Sequence, residues 1–214
     1  MTRFIKSRAD EIIKTGILKN KRVLDVGCIG YPVGNIEYGG LTLIHQKVKR
    51  IAKKLVGLDI NKKAIEKYRK EGFDLRYQDL EKSFNLKEKF DVILANEIIE
   101  HLNNPGFFVD NMKKQLADNG KLVISTPNAQ GVSFFFQRLL KKTVSGIAVW
   151  DHTHWHSEET LKVLLARRGM RIIKIWCVQE EPIKKTFKWF FIKIFWSLFP
   201  DRMGRNIICI SEKV

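Results

Sequence analysis

Residues 22–31 decide the fold, and they read Arg-Val-Leu-Asp-Val-Gly-Cys-Ile-Gly-Tyr. A short apolar run leads into Asp25 and then into two glycines, Gly27 and Gly30. Because glycine tolerates positive φ and lacks a Cβ atom, a strand that ends in this way lets the backbone approach a ligand closely. The carboxylate of Asp25 can accept hydrogen bonds from loop amides or from a cationic ligand group. Similar turns also occur in loops that bind nothing, so the rest of the chain must decide between these two interpretations.

Apolar runs alternate with amphipathic segments along the rest of the chain. The predicted strands are residues 23–26, 55–59, 73–77, 90–95, 122–125, 171–178 and 206–210, and the predicted helices are 3–14, 41–52, 62–70, 105–116 and 157–169. This alternation predicts βαβ units and a mostly parallel sheet with helices on both faces. Ligands in such sheets bind beyond the carboxyl ends of the strands. Four polar side chains fall at or just after those ends: Asp25, Asp59, Asp79 and Asn96.

The composition is that of a globular domain. The chain has 214 residues, 44% of them hydrophobic, which predicts a single domain over residues 1–214 with its ligand-binding core at 20–130. The first 20 residues are charged and contain no apolar signal segment. The three cysteines have no C-x-x-C spacing, which fits a reducing compartment such as the cytoplasm.

The net charge of the chain is +16. Such an excess favours an anionic partner, which is nucleic acid, a phosphorylated small molecule or anionic lipid. A lysine-rich, solvated surface without any partner explains the same charge.

Several segments resemble the motifs of class I S-adenosylmethionine-dependent methyltransferases. They are Val-Leu-Asp-Val-Gly-Cys (23–28), Val-Gly-Leu-Asp-Ile (56–60), Tyr-Gln-Asp-Leu (77–80) and the two stretches 90–105 and 120–128. The last two are similar to the branch that includes the ubiquinone-biosynthesis O-methyltransferases. The resemblance covers residues 20–130 well and 150–178 more weakly, and its combined spacing is more specific than any single motif.

The resemblance implies a Rossmann-like α/β fold with a seven-stranded, mostly parallel sheet, and S-adenosylmethionine as the cofactor. It implies that Asp59 holds the ribose hydroxyls and that Asp79 meets the adenine amine. The implied cofactor-binding residues are Asp25, Gly27, Cys28, Asp59, Ile60, Asp79, Leu80 and Asn96. The chain departs from the family pattern at Ile29, where a glycine is usual, and in the long segment between Asp25 and Asp59. No G-x-G-x-x-G is present, which argues against a nicotinamide dinucleotide.

A second group of candidate residues is Glu97-x-x-Glu100-His101, with Asp151-His152 further along the chain. Two carboxylates and imidazoles suit a divalent cation such as Mg²⁺. The pattern is similar to metal sites in some ubiquinone O-methyltransferases and in RNA 3′-terminal 2′-O-methyltransferases, which implies Glu97, Glu100, His101 and His152 as metal ligands. Two alternatives remain open at this point. His101 and His152 are either catalytic groups that work without metal or hydrogen-bonded structural histidines.

Two segments, residues 131–150 and 183–204, are rich in aromatic and basic side chains and are predicted to be helical inserts beside the acceptor site. Residues 187–199 are too short and too charged to span a bilayer, which needs about 20 apolar residues. An interfacial helix on anionic lipid is the functional interpretation, with Trp189 and Trp196 at headgroup depth. A lid or a dimer interface is the alternative.

The predicted function is therefore methyl transfer from S-adenosylmethionine to an oxygen of a hydrophobic or lipid-linked small molecule. The expected location is the cytoplasm, with peripheral attachment at the inner face of the membrane. One alternative is an RNA 2′-O-methyltransferase, which the net charge of +16 favours, although no separate RNA-binding module is present. The other is a non-catalytic, membrane-associated protein that binds the cofactor. The sequence does not specify the oligomeric state.

Overall fold

The computed structural model describes residues 4–30, 39–132, 134, 151–181, 194, 198–199 and 201–214. The strands are β1 (Phe4–Ile5), β2 (Arg22–Val26), β3 (Lys54–Asp59), β4 (Leu75–Tyr77), β5 (Phe90–Asn96), β6 (Leu116–Pro127), β7 (Met170–Glu180) and β8 (Asn206–Lys213). The helices are α1 (Arg8–Lys14), α2 (Leu43–Val48), α3 (Lys62–Lys70), α4 (Pro105–Gln115) and α5 (Glu158–Arg167). Short 3-10 helices cover Ile99–His101 and Asp201–Met203.

The strands form one sheet in the order β1-β7-β8-β6-β5-β2-β3-β4. Strand β8 runs antiparallel to both β6 and β7, and the other pairings are parallel. The predicted α/β class with a mostly parallel sheet is therefore confirmed. The described sheet has eight strands rather than the predicted seven, because β1 adds two residues along the edge of β7. A two-residue strand gives no periodic signal that a sequence pattern can detect.

Apolar side chains pack on both faces of the sheet. On one face, Phe108 and Met112 of α4 and Leu161 of α5 join side chains of the central strands. On the other face, Ile12 of α1 and Ile44 of α2 pack against the opposite sides of the same strands. Full burial of each large side chain stabilises the fold by about 1.5–3 kcal/mol. This two-sided packing holds the central strands rigidly, with their carboxyl ends at one edge.

Three predicted boundaries differ from the structure for local reasons. The first helix begins at Arg8 rather than at residue 3, because the Ser7 side chain caps it by accepting the N–H of Asp10. Helix α2 is shorter than the predicted 41–52, because Leu41 forms a bridge with Ile29 before the helix starts. Strand β6 already begins at Leu116. An irregularity in its pairing with β5 accommodates residues 117–120, which lie between the predicted helix 105–116 and the predicted strand 122–125.

Most of the two predicted aromatic inserts lies outside the described residues. The structure describes only residues 131, 132 and 134 of the first insert, and only 194, 198–199 and 201–204 of the second. Among the helices in the described part of the chain, none is long and apolar enough to cross a membrane.

Two residues of α5 provide a test of the core. Leu161 is fully buried between α5 and the sheet, whereas Val163 is 50% exposed on the same helix. We expect Leu161→Ala to lower the free energy of unfolding by about 2–5 kcal/mol, since it removes buried methyl groups and leaves a cavity. Val163→Ala should change the free energy by about 0.5 kcal/mol or less. Urea unfolding followed by circular dichroism measures both values, and equal effects would contradict this packing.

Candidate active site

A cavity of about 1100 Å³ lies beyond the carboxyl ends of the central parallel strands. Its wall combines residues that follow β2, β3, β4 and β5 with residues from both ends of the sheet, including Arg8 and Glu180. Of the residues predicted to bind a cofactor, six line this cavity: Gly27, Asp59, Ile60, Asp79, Leu80 and Asn96. The parallel strands thus bring together side chains that are far apart in the sequence.

Asp59, the last residue of β3, is held by the backbone on both carboxylate oxygens. The N–H of Ile29 donates to Asp59 Oδ2 at 2.9 Å, and the N–H of Asn61 donates to Oδ1 at 3.0 Å. Burial raises the pKa of Asp59, and these two backbone hydrogen bonds oppose that rise. The carboxylate therefore has a fixed orientation and keeps lone pairs free for a pair of ligand hydroxyls.

Apolar side chains flank Asp59 and form a slot in the part of the cavity beyond the ends of β3 and β4. Ile60 is 65% exposed and Tyr77 is 51% exposed, although both belong to types that are usually buried. Leu80 and Leu102 also line the cavity at this end. Asp79 Oδ1 accepts the N–H of Glu81 at 3.0 Å, and its Oδ2 lies 3.4 Å from Nζ of the exposed Lys82. The slot suits a planar ring with a hydrogen-bonding edge.

Gly27 allows the backbone of the loop to reach the cavity. Its φ is +72°, and a Cβ atom there would overlap the side chain of Ile98. Its N–H donates to the carbonyl of Leu58 at 2.9 Å, which joins the loop to the end of β3. Glycine is therefore required at this position of the cavity wall, whereas the close approach of a ligand stays a prediction.

Two predicted cofactor-binding residues, Asp25 and Cys28, do not line the cavity. Asp25 Oδ2 lies 2.9 Å from Nδ1 of His45, and both side chains are buried beneath the loop. Cys28 is fully buried in a small apolar cluster with Ile65 and Leu75, and burial raises the pKa of its thiol. Both side chains are buried in the protein interior, and a contact of these two residues with a cofactor stays a prediction.

Arg8 is a cavity residue that the sequence did not reveal. Its N–H donates to Glu180 Oε1 at 2.9 Å, and its guanidinium pairs with Glu97 and Glu180 and donates to Asn206 Oδ1 at 3.3 Å. Burial lowers the pKa of Arg8, but the carboxylates of Glu97 and Glu180 outweigh it and raise the pKa above its ordinary value. A charged guanidinium therefore lines the cavity.

Glu97 adopts an uncommon backbone conformation, with φ of +55°. This left-handed conformation costs a side chain about 1–3 kcal/mol and persists only where neighbouring contacts impose it. The N–H of Glu97 donates to the carbonyl of Ser125 at 2.9 Å, and its carboxylate pairs with Arg8. The conformation turns Glu97 toward Arg8, so its carboxylate lies outside the group formed by the other predicted metal ligands.

Glu100, His101 and His152 bring their ligand atoms within 4.8 Å of one another. The rings of His101 and His152 lie 4.7 Å apart, and Asp151 Oδ2 is 3.2 Å from His101 Nδ1. The main chain holds the two segments together, since the N–H groups of Thr153 and His154 both donate to the carbonyl of Glu100. The predicted proximity of these three residues is thus present, whereas Glu97 is not part of the group.

The carboxyl group of Glu100 is almost completely buried. Thr126 donates its hydroxyl to Glu100 Oε2 at 3.0 Å, and Oε1 has no hydrogen-bond partner among the described residues. Burial, and then the charge of Glu97, raises the pKa of Glu100 to about 8. Burial also lowers the pKa of His152. The group is therefore short of positive charge near Glu100, and a proton or a cation would supply it.

Comparisons with known proteins identify the family of the chain. A family model described as a methyltransferase domain matches residues 1–175. The chain is 35% identical over 145 residues to a ubiquinone biosynthesis O-methyltransferase of Pelagibacter ubique, a match that covers 63% of this chain and only 55% of that protein. A Nitrobacter winogradskyi protein of the same name is 29% identical over 208 residues, which cover 92% of this chain and 70% of the relative.

Solved structures show the same fold. A putative methyltransferase from Bacillus halodurans superposes with a TM-score of 0.65 at 18% identity, over 95% of this chain and 97% of that one. Magnesium protoporphyrin IX methyltransferase from Synechocystis, solved with bound SAH (S-adenosylhomocysteine), gives a TM-score of 0.58 at 13% identity. The superposition covers 96% of this chain and 80% of that one. With the family model matching most of its length, this chain belongs to the methyltransferase-domain family and has the Rossmann-like fold of the class I S-adenosylmethionine-dependent methyltransferases.

Proposed function

We propose that the protein transfers the methyl group of S-adenosylmethionine to a hydroxyl oxygen of a hydrophobic or lipid-linked small molecule. The observation that carries the proposal is that one cavity is lined from both sides of β2, with one half beyond the end of β3 and the other beyond the end of β5. One half contains Asp59, whose carboxylate is fixed by two backbone N–H groups. The other half contains the imidazoles of His101 and His152. The first half suits a nucleoside, and the second suits a group that must lose a proton.

The residues of the first half fit S-adenosylmethionine. Asp59 would accept both ribose hydroxyls, and Ile60 with Leu80 would flank the adenine, whose amine would donate to Asp79. The backbone at Gly27 and Asn96 would face the middle of the cofactor, and Arg8 would stand near its carboxylate end. When bound, the cofactor supplies an activated methyl group on a sulfonium, so no further activation of the methyl donor is needed.

The contribution of the protein is then to align the acceptor and to take its proton. His101 and His152 line the cavity and have rings 4.7 Å apart. Asp151 Oδ2 lies 3.2 Å from His101 Nδ1. His101 is the candidate base for an acceptor hydroxyl, with His152 beside it.

An apolar aromatic wall supports a hydrophobic acceptor. Phe134 lines the cavity and packs edge-to-face on Trp155, with ring centroids 5.0 Å apart. Trp155 in turn contacts His152, at 5.3 Å between ring centroids. In the segment predicted to meet lipid, Ile194 and Leu198 are 49% and 76% exposed. These features favour an acceptor with an aromatic ring or an apolar tail, delivered from a membrane surface.

The RNA alternative has less support from the cavity than from the composition. The net charge of the chain is +16, yet among the described residues that line the cavity, acidic side chains outnumber arginines. The acidic residues there are Asp59, Asp79, Glu81, Glu97, Glu100, Asp151 and Glu180, and the basic ones are Arg8 and Arg205. Such a wall repels a phosphate backbone at the point where a ribose hydroxyl would have to enter.

A divalent cation is a second proposal for the same half of the cavity. Glu100, His101 and His152 offer one oxygen and two nitrogen ligands within 4.8 Å, and oxygen and imidazole ligands suit Mg²⁺, Mn²⁺ or Zn²⁺. A cation would satisfy the buried Oε1 of Glu100 and lower the pKa of that carboxyl group. It would also lower the pKa of an acceptor hydroxyl bound to it, which supplies the activation that a histidine base otherwise provides.

Asp59→Ala should weaken binding of S-adenosylhomocysteine by roughly 10- to 100-fold, because a charge-assisted contact to two hydroxyls contributes about 1.5–3 kcal/mol. Isothermal titration calorimetry on the folded variant measures this. Asp74→Ala is the control, since the Asp74 carboxylate pairs with Arg76 at the surface and does not line the cavity. Unchanged affinity in Asp59→Ala would remove the ribose assignment.

Methyl transfer itself is tested with S-adenosylmethionine that carries a radiolabelled methyl group and a bacterial membrane-lipid extract as the source of acceptor. We expect label to enter an organic-soluble product as an acid-stable methyl ether, and Asp59→Ala to abolish most of this incorporation at a subsaturating cofactor concentration. Label found only in added RNA would instead favour the 2′-O-methyltransferase alternative. Tight binding of the cofactor without transfer to either material would favour the non-catalytic alternative.

The cation proposal predicts that the wild-type protein binds Mn²⁺ and that His152→Ala weakens this binding by tenfold or more, roughly the effect of losing one ligand. His154→Ala is the matched control, because His154 Nε2 lies 3.3 Å from the Asn103 carbonyl and is not in the ligand group. Electron paramagnetic resonance of free Mn²⁺ measures both constants. If the wild type binds no Mn²⁺, His101 and His152 act without metal.

A further inference from the structure

A buried acid–imidazole pair lies behind the cofactor half of the cavity. Asp25 at the end of β2 and His45 in the first turn of α2 each have a side chain only 1% exposed, and Oδ2 is 2.9 Å from Nδ1. Because a carboxylate oxygen accepts hydrogen bonds, the imidazole Nδ1 is assigned as the donor in this contact. Two polar side chains buried to this degree are costly to separate, because each would be left without a partner.

The imidazole of His45 packs closely against residues of β3 and against Phe73. Gly57 of β3 provides the space, since a Cβ atom there would lie 2.9 Å from His45 Cε1 and 2.7 Å from Cys28 Sγ. The ring of Phe73 lies on another side, with its centroid 5.9 Å from that of the imidazole. The imidazole is therefore packed between β3 and Phe73, with its Nδ1 beside Asp25.

His45 is connected to the cavity through the start of α2. The hydroxyl of Thr42 caps this helix by accepting the N–H of His45 at 3.3 Å, and the N–H of Thr42 donates to the carbonyl of Cys28 at 2.9 Å. Thr42 therefore links the helix that carries His45 to the loop that follows Asp25. The cavity-lining residues of this connection are Gly27, Ile29, Gly30 and Thr42.

We propose that Asp25 and His45 are a positioning pair for the cofactor, and that neither touches it. The pair fixes α2 against the end of β2 and, through Thr42, so fixes the glycine loop of residues 27–30 that directly follows β2. Within that loop, the N–H of Ile29 donates to Asp59 Oδ2 at 2.9 Å and orients the ribose-binding carboxylate. A displacement of α2 would move Ile29 and release Asp59. The inference rests on the proposed binding of S-adenosylmethionine but not on the identity of the acceptor.

Two substitutions at His45 separate the hydrogen bond from the bulk of the ring. His45→Asn places an amide nitrogen close to the position of Nδ1, and His45→Gln places one near the position of Nε2. We expect His45→Gln to raise the Kd of S-adenosylhomocysteine about tenfold. His45→Asn should stay within about threefold of the wild type, because it can still donate to Asp25. Calorimetry on the full chain, below the Tm of each variant, provides the constants.

Lys47→Ala is the control on the same helix, because Lys47 pairs with Asp10 and does not line the cavity. Its Kd should equal that of the wild type. Equal Kd values for His45→Gln and the wild type would overturn the proposal, as would equal losses in the Asn and Gln variants. A wild-type protein that does not bind S-adenosylhomocysteine would overturn the cofactor proposal itself, which is a distinguishable result.

A measurement on the wild type covers the case in which His45→Gln does not fold. Proton NMR should show a slowly exchanging imidazole N–H resonance from His45, since the ring is buried and hydrogen-bonded. We expect this resonance to be assigned through its loss in His45→Asn and to shift when S-adenosylhomocysteine binds to the loop. A resonance that does not respond to S-adenosylhomocysteine would contradict a positioning role.

Discussion

The parallel pairing of β2 with both of its neighbours is the constraint on which the site depends. Val26 lies opposite Leu58 of β3 and opposite Ala95 of β5. The next residues of the three strands are Gly27, Asp59 and Asn96, so this register alone brings a glycine, a carboxylate and an amide to one edge. A slip of one residue would turn every side chain of a strand to the opposite face and dismantle both the core and the cavity.

The features that depend on local pattern could be predicted from the sequence. The continuous apolar runs of β3 and β5 identify buried strands, and Asp59 follows such a run, so its place at the cavity is a direct consequence of strand periodicity. Helix α3 begins and ends where the sequence predicts it, because Asn61 caps it and polar residues follow it. The three residues Glu100, His101 and His152 also come together as their resemblance to known sites implied.

The features that depend on non-local packing could not be predicted. Arg8 reaches the cavity only because β1 pairs with β7 at the edge of the sheet, and no spacing between neighbouring residues reports that contact. The true partner of Asp25 is a histidine twenty positions later, reached by a helix whose placement depends on the space above Gly57. The net charge of the chain was equally uninformative about the site. Lysines spread over the surface dominate that net charge, and the acidic residues of the cavity wall change it little.

The short pairing of β1 with β7 has a consequence for the order in which parts of the protein fold. Phe4 lies opposite Gln179 and Ile5 opposite Glu180, so the contact closes a loop that spans most of the chain. Closure of long loops is slow and entropically unfavourable until the intervening structure has formed. During synthesis on the ribosome, the segment that carries Arg8 is made well before its partner strand β7. The cavity therefore acquires its guanidinium only after β7 has been made, and a chain interrupted before β7 would retain the glycine loop without a complete site.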